Sequence, residues 1–326
     1  MAKKTVDVEQ NIVIIGGGTG LSVVLRGLKN ITPNITAIVT MADDGGGSGK
    51  LREDLGMLPP GDIRSCILSL ANTEPIMEKL LQYRFGEGEL KGQSFGNLFL
   101  AAMNGICGNF ENAVKEMANV LAVTGQVLPM TIETVDLSAK LKNGMIVNGE
   151  SKIPHGAMVF DSEIEEIFLQ PTQVKPLSES LDAIKNADIV ILGPGSLYTS
   201  VIPNLLVEGI KEAIIDSKAK CIYLPNVMTQ PGETTGYDVV DHIKAIERHT
   251  GLELIDEIIV NSELIPDDVL EQYILEGANQ VLLDEKQKQS LKQCNIEIIE
   301  AEFIEVNKGY IRHDALKLSE IIKKRI

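Results

Sequence analysis

Along most of this chain, short runs of β-branched and aliphatic residues alternate with longer segments whose apolar positions recur every three or four residues. The runs NIVII, ITAIVT, ADIVIL, CIYLPNV, EIIVN and QVLLD predict strands buried on both faces, because they show no polar alternation. The segments LSVVLRGLKNI, EPIMEKLLQYRF, ENAVKEMANVLAV, NLLVEGIKEAIIDS and YDVVDHIKAIERHTG predict helices, with turn or capping residues near their ends. Strands and helices in alternation predict βαβ units, and so an α/β, doubly wound fold with a mainly parallel sheet.

One stretch breaks the rhythm. TVDLSAKLKNGMIVNGE alternates Val135, Leu137, Ala139 and Leu141, turns at Asn143-Gly144 and resumes with Met145 and Val147. This predicts a β-hairpin with a two-residue turn, within a β-rich insertion at 131–170. No low-complexity linker or internal repeat divides the chain, so residues 1–326 are expected to form one α/β domain carrying that insertion.

At 326 residues, folding buries roughly three quarters of the unfolded surface, and the core needs no disulfide or structural metal. The formal charge of −16 repels nucleic acid and anionic membranes alike. Aromatic residues make up 4% and tryptophan is absent, which removes the stacking platforms used to bind single strands. Cys66, Cys107, Cys221 and Cys294 are dispersed and lack CxxC spacing, which predicts buried, reduced thiols in a cytoplasmic protein. The N-terminal MAKKTVDVEQ carries acids, and the apolar run after it is too short for a signal peptide. No stretch approaches the roughly 18 apolar residues of a membrane span.

The candidate chemistry lies in loops that follow strands. IIGGGTGLS carries Gly16, Gly17, Gly18, Thr19 and Gly20 from a strand into a helix, an arrangement that presents backbone N–H groups to a phosphate. It departs from the dinucleotide fingerprint, because Leu21 stands where the last glycine belongs. TMADDGGGSGKLRED departs from the P-loop, with Asp44 at the first glycine's place and Leu51 at the hydroxyl's. What remains is a flexible loop of backbone donors (Gly45, Gly46, Ser48), fronted by Asp43 and Asp44 and followed by Lys50. The two acids suit Mg²⁺ or the hydroxyls of a ribose or sugar. ILGPGSLYTSVIPN adds Gly195 and Ser196 as phosphate donors and Tyr198 to pack on a base or sugar; YLPNVMTQPGET adds Asn226 and Thr229. Ser94 and Asn97 precede an apolar helix and are either ligands or caps. Arg312 and His313 stand before a helix that Asp314 can cap, and a guanidinium there can hold a diphosphate. Tyr273 reads as a partly buried helix-face residue. His155, His242 and His249 show no metal spacing.

IVIIGGGTGLSVVLRGLK, ITAIVTMADDGGGSGKLRED, LPPGDIRSCILSLAN, ADIVILGPGSLYTSVIPNLLV, NVMTQPGETTGY and IRHDALKLSE together resemble the YvcK-type gluconeogenesis factors, relatives of the CofD 2-phospho-L-lactate transferases. The resemblance implies a Rossmann-like three-layer fold and a cytoplasmic bacterial factor needed for growth and cell shape on gluconeogenic carbon sources. It also implies binding of UDP-sugars, with Tyr273 and Arg312 at the positions that relatives use for them. The transferase branch moves a phospholactyl group from a guanylyl-activated donor to a deazaflavin with Mg²⁺, which makes Asp44 and Asp62 the catalytic candidates here. Where transferases read like SPDLDT this chain reads PPGDIRS, so Asp62 keeps the first acid and Arg64 replaces the second. That change speaks against transfer and for anion binding at Arg64. The expected partners are a nucleotide sugar or other nucleotide diphosphate and unidentified proteins of envelope or cell-shape control. Nucleic acid, an integral membrane segment and a tightly bound redox cofactor are not expected, and a homo-oligomer is left open.

Overall fold

The computed structural model describes residues 10–307 and 309–325; the reading of the first nine residues as free of a leader lies outside them. The strands are β1 (Ile12–Gly16), β2 (Ile35–Val39), β3 (Gln126–Pro129), β4 (Asp136–Leu141), β5 (Ile146–Asn148), β6 (Ile164–Gln170), β7 (Ile189–Leu192), β8 (Lys220–Tyr223), β9 (Glu257–Asn261), β10 (Glu297–Ala301), β11 (Ile304–Asn307) and β12 (Tyr310–His313). Seven of them form one sheet in the order β10-β9-β8-β7-β1-β2-β3, and every adjacent pair is parallel. Helices cover the sheet in a Rossmann-like three-layer arrangement. Its centre is the aliphatic run that pattern alone marks out: every residue of β1, β2, β7 and β9 is buried.

The strand order has a functional consequence. From β1 the chain moves outward through β2 to β3, then returns to the other side of β1 at β7 and moves outward again to β10. The order reverses between β1 and β7, and the crevice beyond the carboxyl ends of two such neighbours is where open α/β sheets bind ligands.

Three features differ from the pattern reading. QVLLD is not a strand: Gln280 makes an isolated bridge to Met228, and Asp284 is drawn off to cap the helix Glu285–Gln293 in a reciprocal capping box. NLLVEGIKEAIIDS is two helices, Ile202–Leu205 and Ile210–Asp216, interrupted where Gly209 adopts φ +77°. Cys294 is exposed at a helix end and Cys107 only partly covered, whereas Cys66 and Cys221 are buried; all four are free thiols. Two edge strands carry no aliphatic run. β3 ends in Pro129, which an edge strand tolerates, and β10 exposes Glu297 and Glu300, charges that discourage further pairing.

The hairpin is present. β4 pairs antiparallel with β5, but the loop is Lys142-Asn143-Gly144, one residue longer than the expected two-residue turn: Leu141 N–H donates to the Met145 carbonyl at 2.8 Å, and Gly144, at φ +85°, donates its N–H to the Leu141 carbonyl at 2.8 Å. β6 joins on the other side of β4 to make a three-stranded antiparallel sheet. Leaving β5, the chain passes Gly149, Glu150 and Ser151 across the acidic segment that follows β2. No helix among the described residues is long and apolar enough to cross a membrane.

Candidate functional site

Two glycine turns meet at the switch point. A Cβ on Gly17 would lie 2.6 Å from Asp62 Oδ2 and 2.8 Å from Thr40 Cγ2. Glycine is therefore what lets the helix Gly18–Leu28 begin directly beyond β1. Gly18 itself adopts φ +70°, and its N–H donates to Asp62 Oδ2 at 2.8 Å. From β7 comes Gly193-Pro194-Gly195-Ser196; a Cβ on Gly195 would lie 3.0 Å from Gly17 O, and one on Gly20 3.2 Å from Pro194 O. The two turns pack backbone against backbone, leaving peptide groups rather than side chains at the surface of the crevice.

A cleft of about 560 Å³ opens over these turns, lined by Gly17 to Gly20, Gly195, Ser196, Ser200, Asn226 to Pro231, Glu233, Tyr273, Arg312 and His313 among others. One wall is braced by side-chain amides. Asn226 Nδ2 donates to Gly195 O (2.9 Å) and Gln230 Oε1 (3.1 Å), while Gln230 Nε2 donates to Ser196 Oγ (2.8 Å). The buried Thr229 hydroxyl accepts the Asn279 N–H at 2.8 Å. On the opposite wall, Tyr273 Oη accepts the Ile311 N–H at 2.9 Å. Arg312 is exposed, lies 5.4 Å over the Tyr310 ring and donates from Nη1 to its neighbour's carbonyl at 2.9 Å. It forms no ion pair among the described residues, so its charge is open to a ligand. His313 is buried and stacked on Phe303 at 5.8 Å; burial pushes its pKa down to about 4, so it is neutral near pH 7. Asp314 caps the following helix by accepting the Leu316 and Lys317 N–H groups, as its position predicts.

The two adjacent aspartates do not act as a pair. Asp43 Oδ1 accepts the Gly45 N–H at 2.9 Å, whereas Asp44 Oδ1 accepts the Ser151 N–H at 2.9 Å, turned toward the segment after β5. Asp43 faces Asp62 instead. Burial and then the charge of Asp43 push the Asp62 carboxyl up to about 6. Two further acids complete the group. Glu150 is pushed up to about 8 by burial and by Asp43 and Asp44, and Glu233 up to about 7 by burial, opposed by hydrogen bonds to the Tyr198 and Thr199 backbone and the Ser196 side chain. No set of three or more metal-binding side chains converges on one point among the described residues. Mg²⁺ usually takes only one or two carboxylates, with substrate phosphates and water completing its shell. Asp43 and Asp62, which line one cavity together, fit that partial role, and Asp44, turned out of it toward Ser151, does not.

A second cavity of about 270 Å³ adjoins the first and shares Gly18 and Thr19 with it. Asp43, Gly45, Gly46, Ser48, Asp62, Arg64 and Asn97 line this cavity and not the main cleft. The glycine run expected to be a flexible loop is helical here: Gly46–Leu55 is a helix, with Gly45 as its N-cap. Ser94 caps the helix Phe95–Cys107 by accepting the Asn97 N–H at 3.2 Å, which leaves the Asn97 side chain free for the cavity.

Four expected ligand residues line neither cavity: Gly16, the buried end of β1, Asp44, turned toward Ser151, and Tyr198 and Lys50. Tyr198 is fully buried, its hydroxyl 2.7 Å from that of Tyr237, because the chain coils into a wide turn over Leu197–Val201 that points the ring inward. Lys50 is exposed on the helix Gly46–Leu55 and lines neither cavity. Sequence reasoning missed Glu150, Gln230, Glu233 and Arg84. Glu233 and Gln230 lay inside the TQPGET motif and could have been found there; Glu150 and Arg84 carry no local signal.

The family model described as 2-phospho-L-lactate transferase CofD matches residues 12–304. A protein of Thermoanaerobacterium thermosulfurigenes is 60% identical over 311 residues, 95% of each chain. The gluconeogenesis factor of Bacillus subtilis is 49% identical over 312 residues, covering 95% of this chain and 96% of its own. The crystal structure of protein BH3568 from Bacillus halodurans superposes with a TM-score of 0.92 at 48% identity, over 96% of this chain and 99% of that one. With its fold, its paired glycine turns and its near full-length relatives in agreement, the chain belongs to the CofD family, among the YvcK-type gluconeogenesis factors.

Proposed function

We propose that this protein is a regulatory factor that binds a nucleotide sugar of the UDP-sugar class at the switch-point cleft. In this reading it serves growth and cell shape under gluconeogenic conditions, in the cytoplasm and through proteins of envelope or cell-shape control. The observation that carries the reading is the pairing of peptide-lined turns at Gly17–Gly20 and Gly195–Ser196 with an unpaired guanidinium, Arg312, across one cleft. Helix N-termini and exposed N–H groups favour a diphosphate, and Arg312 adds a bidentate donor. Tyr273, anchored to Ile311, offers an aromatic face beside it. The name carried by the Bacillus subtilis relative supports the gluconeogenic context.

Calorimetric titration with UDP-glucose and UDP-N-acetylglucosamine tests this. Arg312→Ala should weaken binding by about 1.5–3 kcal/mol, the range for a charge-assisted hydrogen bond; an unchanged affinity would remove Arg312 from the site.

A second reading is a Mg²⁺-dependent transferase of the CofD type. It is favoured by the Asp43–Asp62 pair, in which a carboxyl pushed up to about 6 can exchange a proton near neutral pH. Mg²⁺ held by these two acids would neutralise phosphate charge. Multiple turnovers of a guanylyl-activated phospholactate with a deazaflavin acceptor would establish this reading, and tight UDP-sugar binding without turnover favours the first.

A further inference from the structure

We propose that the smaller cavity is a separate ligand site for a hydroxyl-bearing phosphate monoester, with Arg64, Arg84 and Asn97 holding the phosphate and Asp43 and Asp62 accepting the hydroxyls. The proposal does not depend on what occupies the main cleft.

Four helices begin at this cavity. Gly18 and Thr19 open one, Gly46 to Ser48 the next, Gly61 and Asp62 the third, and Asn97 lies in the first turn of the fourth. Each contributes the positive end of its dipole to the same small volume. The second, independent observation is a set of polar groups with nothing to bond. Asn97 is 3% exposed, and its side-chain Oδ1 is buried without a partner. The other end of that amide is an NH₂ group, a donor from which a phosphate oxygen can accept. Arg64 Nε is likewise buried and unpartnered, and only its Nη2 is used, donating to Ser65 Oγ at 3.1 Å.

Arg64 and Arg84 lie close enough to repel, and that repulsion adds to burial in lowering the Arg64 pKa. Neither forms an ion pair among the described residues, and Arg84 donates only to the Gly92 carbonyl. The Asp62 carboxylate offsets part of the Arg64 charge, and two neighbouring guanidinium groups facing it still suit a dianion better than a carboxylate, because a phosphate monoester offers three oxygens to two forks. The carboxylates of Asp43 and Asp62 stand in the same cavity. They would repel a second anionic group but accept hydroxyl protons, which is why the ligand is assigned hydroxyls at its other end. Gly18 and Thr19, common to both cavities, would bring this ligand beside whatever the main cleft holds.

The test is calorimetric titration of the full chain with inorganic phosphate and with glycerol phosphate. Wild-type protein should bind both, the ester more tightly. Arg64→Gln should weaken phosphate by about tenfold or more, Asn97→Leu should weaken it measurably, and Arg64→Lys should retain part of the affinity. Thermal melts confirm that each variant is folded, and Arg64→Lys keeps the test open if Arg64→Gln is not. Lys50→Ala is the counter-test, with phosphate affinity expected to stay within about twofold, since this exposed cation lines neither cavity. Three results overturn the proposal: no phosphate binding at about 10 mM, well beyond ordinary site affinities, an affinity indifferent to Arg64, or a loss with Lys50→Ala equal to that with Arg64→Gln. Equal affinity for phosphate and its glycerol ester overturns the hydroxyl assignment of Asp43 and Asp62.

Discussion

Glu150 should make this protein less stable as pH rises, and Glu150→Gln should reverse that. Burial, reinforced by the charges of Asp43, Asp44, Glu233 and Asp62, pushes its carboxyl from 4.5 up to about 8. Below about pH 4.5 the group is protonated in both folded and unfolded chains and contributes nothing. Above that, the unfolded chain releases the proton while the folded chain retains it, so ν for the native state exceeds ν for the unfolded state and stability falls with pH. The penalty grows until the folded group also ionises near pH 8 and is constant beyond. At about 1.36 kcal/mol per pKa step, its ceiling is about 5 kcal/mol; solvent at this partly exposed position and relaxation of neighbouring acids reduce it to about 1–2 kcal/mol. Glutamine keeps the shape and pays none of this. Urea unfolding of both proteins at about pH 5 and about pH 8.5 should show nearly equal midpoints at the lower value and a variant about 1–2 kcal/mol more stable at the higher one. A variant that gains the same amount at both pH values, or loses stability at the higher, refutes the assignment of the penalty to Glu150 ionisation.

Gly17→Ala should cost about 1–3 kcal/mol, because its Cβ would press on Asp62 and Thr40; a drop in melting temperature with weakened nucleotide-sugar binding checks it, and wild-type values in both would sink the close-packing argument. Tyr273→Phe removes the acceptor for the Ile311 N–H and should cost about 0.5–1.5 kcal/mol in thermal unfolding. If Tyr273 also orders Arg312 through this contact, UDP-glucose affinity should fall with it, and an affinity unchanged to within error would confine the tyrosine to a structural part.

The central strands were legible because they are covered on both faces: NIVII, ITAIVT and ADIVIL have nothing but burial to explain them, and they became β1, β2 and β7. The hairpin was equally plain from Asn143-Gly144, but not its loop length: only Gly144 of that pair takes a positive φ, and Lys142 joins the loop to make three residues. Edge strands were hidden by the features that make them safe edges, proline in β3 and exposed glutamates in β10. QVLLD misled because a short apolar run has no period of its own, and Asp284 was already committed to a helix cap. At the site, both glycine turns announced themselves, but the partner of Asp43 did not. Adjacent aspartates look paired on paper, yet backbone geometry sends Asp44 to Ser151 and leaves Asp43 with Asp62. Raised acidities at Glu150 and Glu233 arise only when segments from different elements come together, so no local pattern announces them.

The reversal of strand order between β1 and β7 has a consequence for how occupancy would be felt. Gly17 leaves the first strand and Arg312 lies on the last, so a molecule gripping both would staple the two ends of the chain together. Peeling away either terminal third would first require its release. Amide exchange in a saturated sample should therefore slow throughout the central sheet, rather than only in the segments that touch the bound molecule.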